Sequence, residues 1–389
     1  MKGWKEVRIG DLFEIKAGGD LQEANYSPCR TDHARWAIYA NSLENKGLYG
    51  YTSQPRFRGN AITITGRGEV GHAEFRDDDF DAIVRLLVLL PKVDVDCRYI
   101  TYYINSLVHF PKESTGVPQL TAPKVKRIKI NLPQLKKEQT AIANILTKVD
   151  EAIASVQNSI TAAERLKKSL MQNLLTGKMK PDGTFRTSEE FYIDDKFGKV
   201  PVGWHWGRLS EIADIIAGQS PQGEYYNVNG MGKPMLNGPT EFTDKYPVPV
   251  QWTTKITKLC KKGDILFTVR GSSTGRMNLA DQEYCIGRGL AAIRPKSNNN
   301  ISFIYYTLLK ISEMILAEAK GAGTTFPNVS RGELMKKVIL IPDTHQNEII
   351  APIEQVASFS NSKQRSIDKL EILKKSLMQN LLTGRIKIL

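Results

Sequence analysis

Leu166-Lys-Lys-Ser-Leu-Met-Gln-Asn-Leu-Leu-Thr-Gly177 recurs without a change as Leu373 to Gly384, 207 residues further along a chain of 389. Twelve identical positions mark an internal duplication, and the period is that of a whole domain plus a helix, far longer than a solenoid repeat. Working upstream, Leu132-Pro133 answers Ile341-Pro342 and Ile142-Ala143 answers Ile350-Ala351. The repeat also has a head. Gly3-Trp4, Arg8, Ile15 and Ala17-Gly18 match Gly203-Trp204, Arg208, Ile215 and Ala217-Gly218 at an offset of 200. Between head and tail only a skeleton is shared. Gly59 to Gly66 parallels Gly263 to Arg270, each a β-like run ending in a Gly-rich loop, and Gly116 to Leu120 parallels Thr325 to Val329.

Each copy reads as a globular stretch followed by a long helix. The globular stretches hold most turn signals, interleaved with β-like runs at Ala61–Thr65, Val84–Leu90, Ile128–Leu132, Ile265–Val269 and Val338–Ile341. A short helix is expected near the end of each, at Tyr99–Val108 and Phe303–Glu318. Glu138–Thr176 contains neither Gly nor Pro, and Ile142, Leu146, Val149, Ile153, Val156 and Ile160 alternate steps of four and three, as a coiled-coil seam requires. The seam slips to Leu166, Leu170 and Leu174. In the second copy, His345–Thr383, it runs through Ile353, Val356, Ile367, Leu370, Leu373, Leu377 and Leu381, with Pro352 in the first turns, where proline is tolerated. Gly177 and Gly384 stand where helix C-caps belong. Two such helices can bury their seams on each other, and antiparallel pairing about a pseudo-twofold axis is expected. The fold class is α/β (α+β): two globular domains, 1–131 and 201–340, joined by two antiparallel coiled-coil helices, 132–177 and 341–389, with 178–200 as a linker.

Composition narrows the function. The chain carries 54 Lys and Arg against 41 Asp and Glu, a net charge of +13 that favours an anionic partner. The excess is spread: 19 basic and 16 acidic residues in the first globular stretch, 17 and 11 in the second, five of each in the linker. No apolar run nears the roughly 18 residues of a membrane span, and Met1-Lys-Gly-Trp-Lys5 lacks a signal-peptide core. Cys29, Cys97, Cys260 and Cys285 show no C-x-x-C pairing, and the five histidines no metal-ligand spacing. A cytoplasmic protein with reduced thiols, no metal and no membrane contact is expected.

The helix ending Leu-Lys-Lys-Ser-Leu-Met-Gln-Asn-Leu-Leu-Thr-Gly after a variable domain, both present twice, and the segment Lys178-Met-Lys-Pro-Asp-Gly183 leading to Phe197-Gly-Lys-Val-Pro-Val-Gly-Trp204, resemble the specificity (S) subunit of type I restriction-modification systems. The resemblance covers essentially the whole chain. It implies two target-recognition domains, each reading half of a split site in double-stranded DNA, and helices that act as a ruler and dock two methyltransferase (M) subunits. Restriction (R) subunits would join through these. It also implies no catalytic site in the chain itself.

The residues can be tested for chemistry independently. No Pro-Pro occurs, so the amine-holding motif of amino-methyltransferases is absent, as is the phosphate-cradling G-x-x-x-x-G-K-S/T. Gly66-Arg-Gly68-Glu-Val-Gly71 spells G-x-G-x-x-G, but His72-Ala-Glu-Phe after it reads as strand, without the helix that a dinucleotide site needs, so no cofactor is expected. Pro181-Asp182 with Asp194-Asp-Lys196 has the letters of a nuclease metal site, yet sits in an apolar-poor linker. Asp77-Asp-Asp79 with Asp81 reads as an exposed acidic loop. For DNA contact the best candidates are Arg270, Ser272, Ser273, Thr274 and Arg276, in a Gly-bounded loop after a strand, and Arg67 with Gly68 in the comparable place of the first copy. Arg56, Arg58, Tyr39, Asn41, Lys233 and Asn237 are further candidates, whereas Trp4 and Trp204 read as core anchors. For the partner interface, Lys167, Gln172 and Asn173 with Lys374, Gln379 and Asn380 are expected on the exposed side of the repeated helix end, where Leu170, Met171, Leu174 and Leu175 and their counterparts Leu377, Met378, Leu381 and Leu382 also lie. Two other readings stay open: a metal-dependent endonuclease using the linker carboxylates, and a scaffold that binds only protein.

Overall fold

The fold is described from a computed structural model, which covers residues 3–110, 119–296, 299–321 and 327–388. It divides into two units, one of residues 1–158 with 363–389, the other of residues 159–362.

The two units repeat one plan. In the first, Trp4–Arg8 pairs antiparallel with Lys129–Pro133, bringing Trp4 opposite Pro133. In the second, Trp204–Arg208 pairs with Val338–Pro342, Trp204 opposite Pro342. Both tryptophans pack into their cores, Trp204 almost completely buried. A four-stranded antiparallel sheet follows, in the order Phe13–Ala17, Leu87–Pro91, Ala61–Ile64, Ala73–Arg76. The second unit's version is Ala213–Ala217, Leu290–Pro295, Ile265–Thr268, Met277–Leu279. The central strands are buried along their whole length, which is why they read as largely apolar, each with one buried threonine, Thr63 or Thr268. A mixed sheet of shorter strands completes each unit: Tyr26–Ser27, Leu48–Thr52, Trp36–Tyr39 and Phe80–Ala82 in the first. The second unit adds an outer strand, Leu259–Cys260, to the matching set.

Three expected elements start elsewhere. Val84 and Arg85, expected at the start of a strand, form a left-handed turn with φ of 50° and 57°, and the strand begins at Leu87. The short helices run Cys97–Leu107 and Ile301–Gly321. Asp96 caps the first of these by accepting from the Arg98 and Tyr99 amides at 2.9 and 3.2 Å. Burial tends to raise the Asp96 carboxyl, but the ion pair and hydrogen bond with Arg98 outweigh it and hold the group below its usual range.

The long helices span Lys136–Leu174 and Gln346–Leu381. At about 1.5 Å per residue the first is about 60 Å long. Gln139 and Gln346 do the same work in the two copies. The side-chain oxygen of Gln139 accepts from the Asp96 amide at 3.1 Å and that of Gln346 from the Asn300 amide at 2.7 Å, each tying a long helix to the start of the short one. This sets the helical register at 207 throughout. Ile349-Ile350, both buried, therefore take the place of Ile142-Ala143; the looser match to Ile350-Ala351 is one residue out, and Ala351 is exposed.

The helix ends carry the main packing. Met171, Leu174 and Leu175 lie in the second unit's core with Trp204, Ile349, Ile350 and Ile353. Leu381 and Leu382 lie in the first unit's core with Ile142, Ala143 and Leu146. Within the first unit, the Lys374 ammonium pairs with Asp150 at 2.6 Å and stands over the Tyr102 ring. Both ends close in the same way. Gly177 and Gly384 adopt φ of 62° and 66° as left-handed caps, their amides donating to the Leu174 and Leu381 carbonyls at 3.0 and 3.3 Å, and the amides of Met179 and Ile386 reach back to the carbonyls of Asn173 and Asn380 at 3.1 and 3.2 Å. Leu166 and Leu373, expected in the seam, instead stand 51% and 47% exposed.

Residues 178–200 are more than a tether. Phe191–Asp194 and Gly198–Pro201 form a hairpin, Val200 is buried in the second core, and Phe197 stacks on Trp206 at 4.9 Å. Arg186 donates to the Gly177 carbonyl at 2.6 Å, closing the cap from outside.

Since Leu381 is buried in the first unit's core, Leu381→Ala is expected to weaken that unit by about 2–5 kcal/mol. Native-state hydrogen exchange should show the loss of protection in Ala61–Ile64 and Leu87–Pro91, with Ile265–Thr268 unchanged.

Candidate nucleic-acid interface

The loops that leave the central strands Ala61–Ile64 and Ile265–Thr268 are built alike. Arg67 forms a bridge with Gln119 and Arg270 with Asn328. One residue before each arginine, the Gly66 carbonyl accepts from Leu120 at 2.8 Å and the Val269 carbonyl accepts from Val329 at 2.9 Å. Arg67 and Arg270 are thus equivalent, and both are exposed. Of the two sequence segments matched here, 116–118 and 325–326 lie outside the described residues. Gly68 has φ of 75° with open space around its α-carbon. The Gly66–Gly71 loop runs into strand Ala73–Arg76.

In the second unit the loop hydroxyls divide by burial. Thr274 is buried and donates to the Gly271 carbonyl at 2.8 Å. Ser273 is half-buried, its carbonyl accepting from Arg276 at 3.0 Å, and Ser272 is exposed. Arg276 donates to the Phe242 carbonyl at 3.2 Å. Lys233 pairs with Glu283 at 2.8 Å, and Asn237 donates to Gln251 at 3.2 Å.

In the first unit several candidates hold the scaffold. Arg56 donates to Asp81 at 2.5 Å and to the carbonyls of Asp20 and Ala82 at 3.2 and 3.1 Å. Asp81 is only 1% exposed, so the expected acidic loop is confined to Asp77–Asp79. The Asn41 amide donates to the Val84 carbonyl and its oxygen accepts from Gly66 at 2.7 Å, joining the left-handed turn to the arginine loop. Tyr39 lies under the buried Arg76 guanidinium at 3.5 Å. Burial draws the Arg76 guanidinium below its usual range; it is held by the Thr63 hydroxyl at 2.9 Å and the Lys46 carbonyl at 2.7 Å. Arg58 is exposed.

Sequence reasoning passed over Arg85 and Arg288. Both are exposed, on the turns that precede Leu87–Pro91 and Leu290–Pro295, and each turn adjoins its arginine loop. The Val269 amide donates to the Gly289 carbonyl at 2.9 Å, and a β-carbon on Gly66 would stand 3.3 Å from the Arg85 carbonyl. Gly287-Arg288-Gly289 was the available signal.

The sequence profile of the type I restriction modification DNA specificity domain matches residues 1–165 and again 201–371. The chain belongs to the type I restriction-modification specificity subunits. A putative specificity subunit of the type I restriction enzyme MjaX from Methanocaldococcus jannaschii is 31% identical over 78% of this chain and 72% of its own. The MjaVIII specificity subunit of the same organism is 25% identical over 99% and 93%. The crystal structure of a type I system S subunit from Mycoplasma genitalium superposes with a TM-score of 0.67 at 17% identity, covering 97% of this chain and 96% of that one. Such identity speaks to the fold alone.

At the repeated helix ends of this specificity subunit, Gln172 and Gln379 are exposed. Lys167, Asn173, Lys374 and Asn380 are half-buried and engaged within the chain. Lys167 pairs with Glu164 at 2.8 Å, and the two asparagines donate to the carbonyls of Ser169 and Ser376 at 3.0 and 2.9 Å. The linker carboxylates serve local turns. Asp182 accepts from the Thr184 hydroxyl and amide at 2.7 and 2.8 Å, which hold it below the usual carboxylate range; Asp194 accepts from the amides of Lys196 and Phe197. Among the described residues no three His, Cys, Asp or Glu side chains are grouped to hold a metal ion, and no helix is long and apolar enough to cross a membrane.

Arg56 and Arg67 should separate by stability. Arg56→Ala leaves Asp81 buried without its partner and is expected to lower the first unit's stability by about 3 kcal/mol, while Arg67→Ala changes it by less than about 0.5 kcal/mol. Denaturant titrations of the two variants check the contrast.

Proposed function

We propose that this specificity subunit reads a DNA target made of two unrelated half-sites separated by a fixed spacer, one half-site per globular domain (1–131 and 201–340). The observation that carries the reading is the pairing of one frame with two sets of loop side chains: equivalent arginines at 67 and 270, but different neighbours around them. Different side chains at equivalent places read different base edges. The long antiparallel helices, 132–177 and 341–389, are the ruler that sets the spacing, as a rigid dimer sets it in other DNA-binding proteins. Arg67, Arg270, Ser272 and Arg276 are the foremost contacts; Gly68 and Ser273 lie in the same loops, and Arg58 is exposed at the opposite end of the strand Ala61–Ile64.

The chain has no catalytic role of its own and docks two methyltransferase subunits, through which restriction subunits join. Two identical helix ends suit two equal partners. Leu166 with Leu373 and Gln172 with Gln379, exposed at matching places, are the foremost contacts. One solved structure of matching fold concerns complex assembly and conformational transition of the type I R-M system, which agrees with such a role.

The test is the methylated motif of a host that carries this chain and its methyltransferase, before and after residues 201–340 are exchanged for those of a relative. One half-site should change, and the other half-site and the spacer should persist. A change in both halves, or a continuous target, would overturn the bipartite reading. Metal-dependent cleavage by the chain alone, abolished by Asp182→Ala or Asp194→Ala, would overturn the non-catalytic one.

A further inference from the structure

Arg270 and Arg288 face one surface cleft of the second unit, about 710 Å³ in volume, lined also by Gln219, Ser220, Tyr226 and Asn237. The backbone under Arg288 is fixed on both sides. A β-carbon on Gly287 would stand 2.4 Å from the Asn237 side-chain oxygen, and one on Gly289 2.4 Å from the Asn237 carbonyl, so neither position admits a larger residue without displacing Asn237. The Arg288 amide donates to the Ser220 hydroxyl at 3.1 Å, and the Gly289 carbonyl accepts from Val269, one residue before Arg270. Two guanidiniums thus rise from adjoining, hydrogen-bonded backbone.

No carboxylate lines this cleft, and among the described residues neither arginine is in an ion pair. Other arginines of the same unit are taken up internally: Arg294 by Asp264 at 2.9 and 2.7 Å, Arg331 by the Ile215 carbonyl at 2.8 Å. The first unit is built differently. Its cleft beside Arg67 carries two carboxylates, Glu44 and Glu69, and its turn places Arg85 at the second central position, next to Val84.

We propose that Arg288 acts with Arg270 as a guanine-reading pair, so that the half-site of the second domain contains guanine at a position that Arg288 specifies. The inference rests on the DNA-specificity reading given above. The arginine fork offers two parallel donors that match guanine O6 and N7 in the major groove. Specificity further requires that the reading group be held in place, and the close approach of Gly287 and Gly289 to Asn237, with the Ser220 hydrogen bond, fixes the backbone that carries it. A phosphate contact would need only the charge.

The test is selection from random-sequence duplexes by the full chain, alone and co-expressed with the methyltransferase, for wild type, Arg288→Gln, Arg288→Lys and, as a control in the other unit, Arg85→Gln. Wild type should enrich a bipartite motif with guanine in one half. Arg288→Gln should reduce the preference for one guanine of that half by roughly 5- to 150-fold, with the other half and the thermal midpoint unchanged. Arg288→Lys should also relax that position, because an ammonium lacks the fork. Arg85→Gln should leave that half as it is. Were Arg288→Gln to keep the motif intact, or to weaken all sequences alike with a shallower salt dependence, the inference would fall and the specificity reading stand. Were wild type to enrich no sequence, both would fall.

Discussion

Burial of four leucines at the two helix ends organises the molecule. Leu174 and Leu175 belong by sequence to the first repeat yet lie in the core with Trp204 and Ile350; Leu381 and Leu382 belong to the second and lie with Ile142 and Leu146. Each fully buried leucine is worth about 1.5–3 kcal/mol, comparable in sum to the marginal stability of a domain. The identity of the buried and capping positions in the two 12-residue segments follows from this. Both must fit a socket of the same shape, close the same cap at Gly177 or Gly384, and hold the same asparagine back to the previous turn.

Around these fixed ends the two globular parts have diverged without losing register. Both keep the Trp–Pro strand pair, the antiparallel sheet and the glutamine that ties helix to helix. Each also has a buried ion pair, but at a different place: Asp81 with Arg56 in the first, Asp264 with Arg294 in the second. Leaving either charge unpaired would be costly, so these pairs constrain their surroundings more than the exposed loop arginines do.

The repeat, the long helices, the central strands and the family were all legible in the sequence, because they rest on periodicity and near-identical residues. The outcome at single side chains was uneven, and burial explains the difference. Arg67 and Arg270 follow buried strands, and the strand register alone puts each at the equivalent place of its own unit. Arg56, Asn41 and Lys233 also look like polar loop residues, but their partners, Asp81, Val84 and Glu283, lie some 25 to 50 positions away and become neighbours only on folding. Arg85 was hidden in a run that reads as strand from Val84 to Leu90, since nothing local announces a left-handed turn at a β-branched residue. Leu166 and Leu373 fit the apolar stripe but face outward, because the stripe drifts as the helix turns by 3.6 residues against a 3.5-residue repeat.

The exchange of helix ends also bears on the order in which the molecule can be made. The first unit needs Leu381 and Leu382, which are translated more than 230 residues after Leu146. At roughly 5–20 residues per second the ribosome needs on the order of tens of seconds to cover that distance. The second unit already has Met171, Leu174 and Leu175 before its own strands emerge. The unit that is synthesised first is therefore the last to close, and until then it holds an open apolar socket.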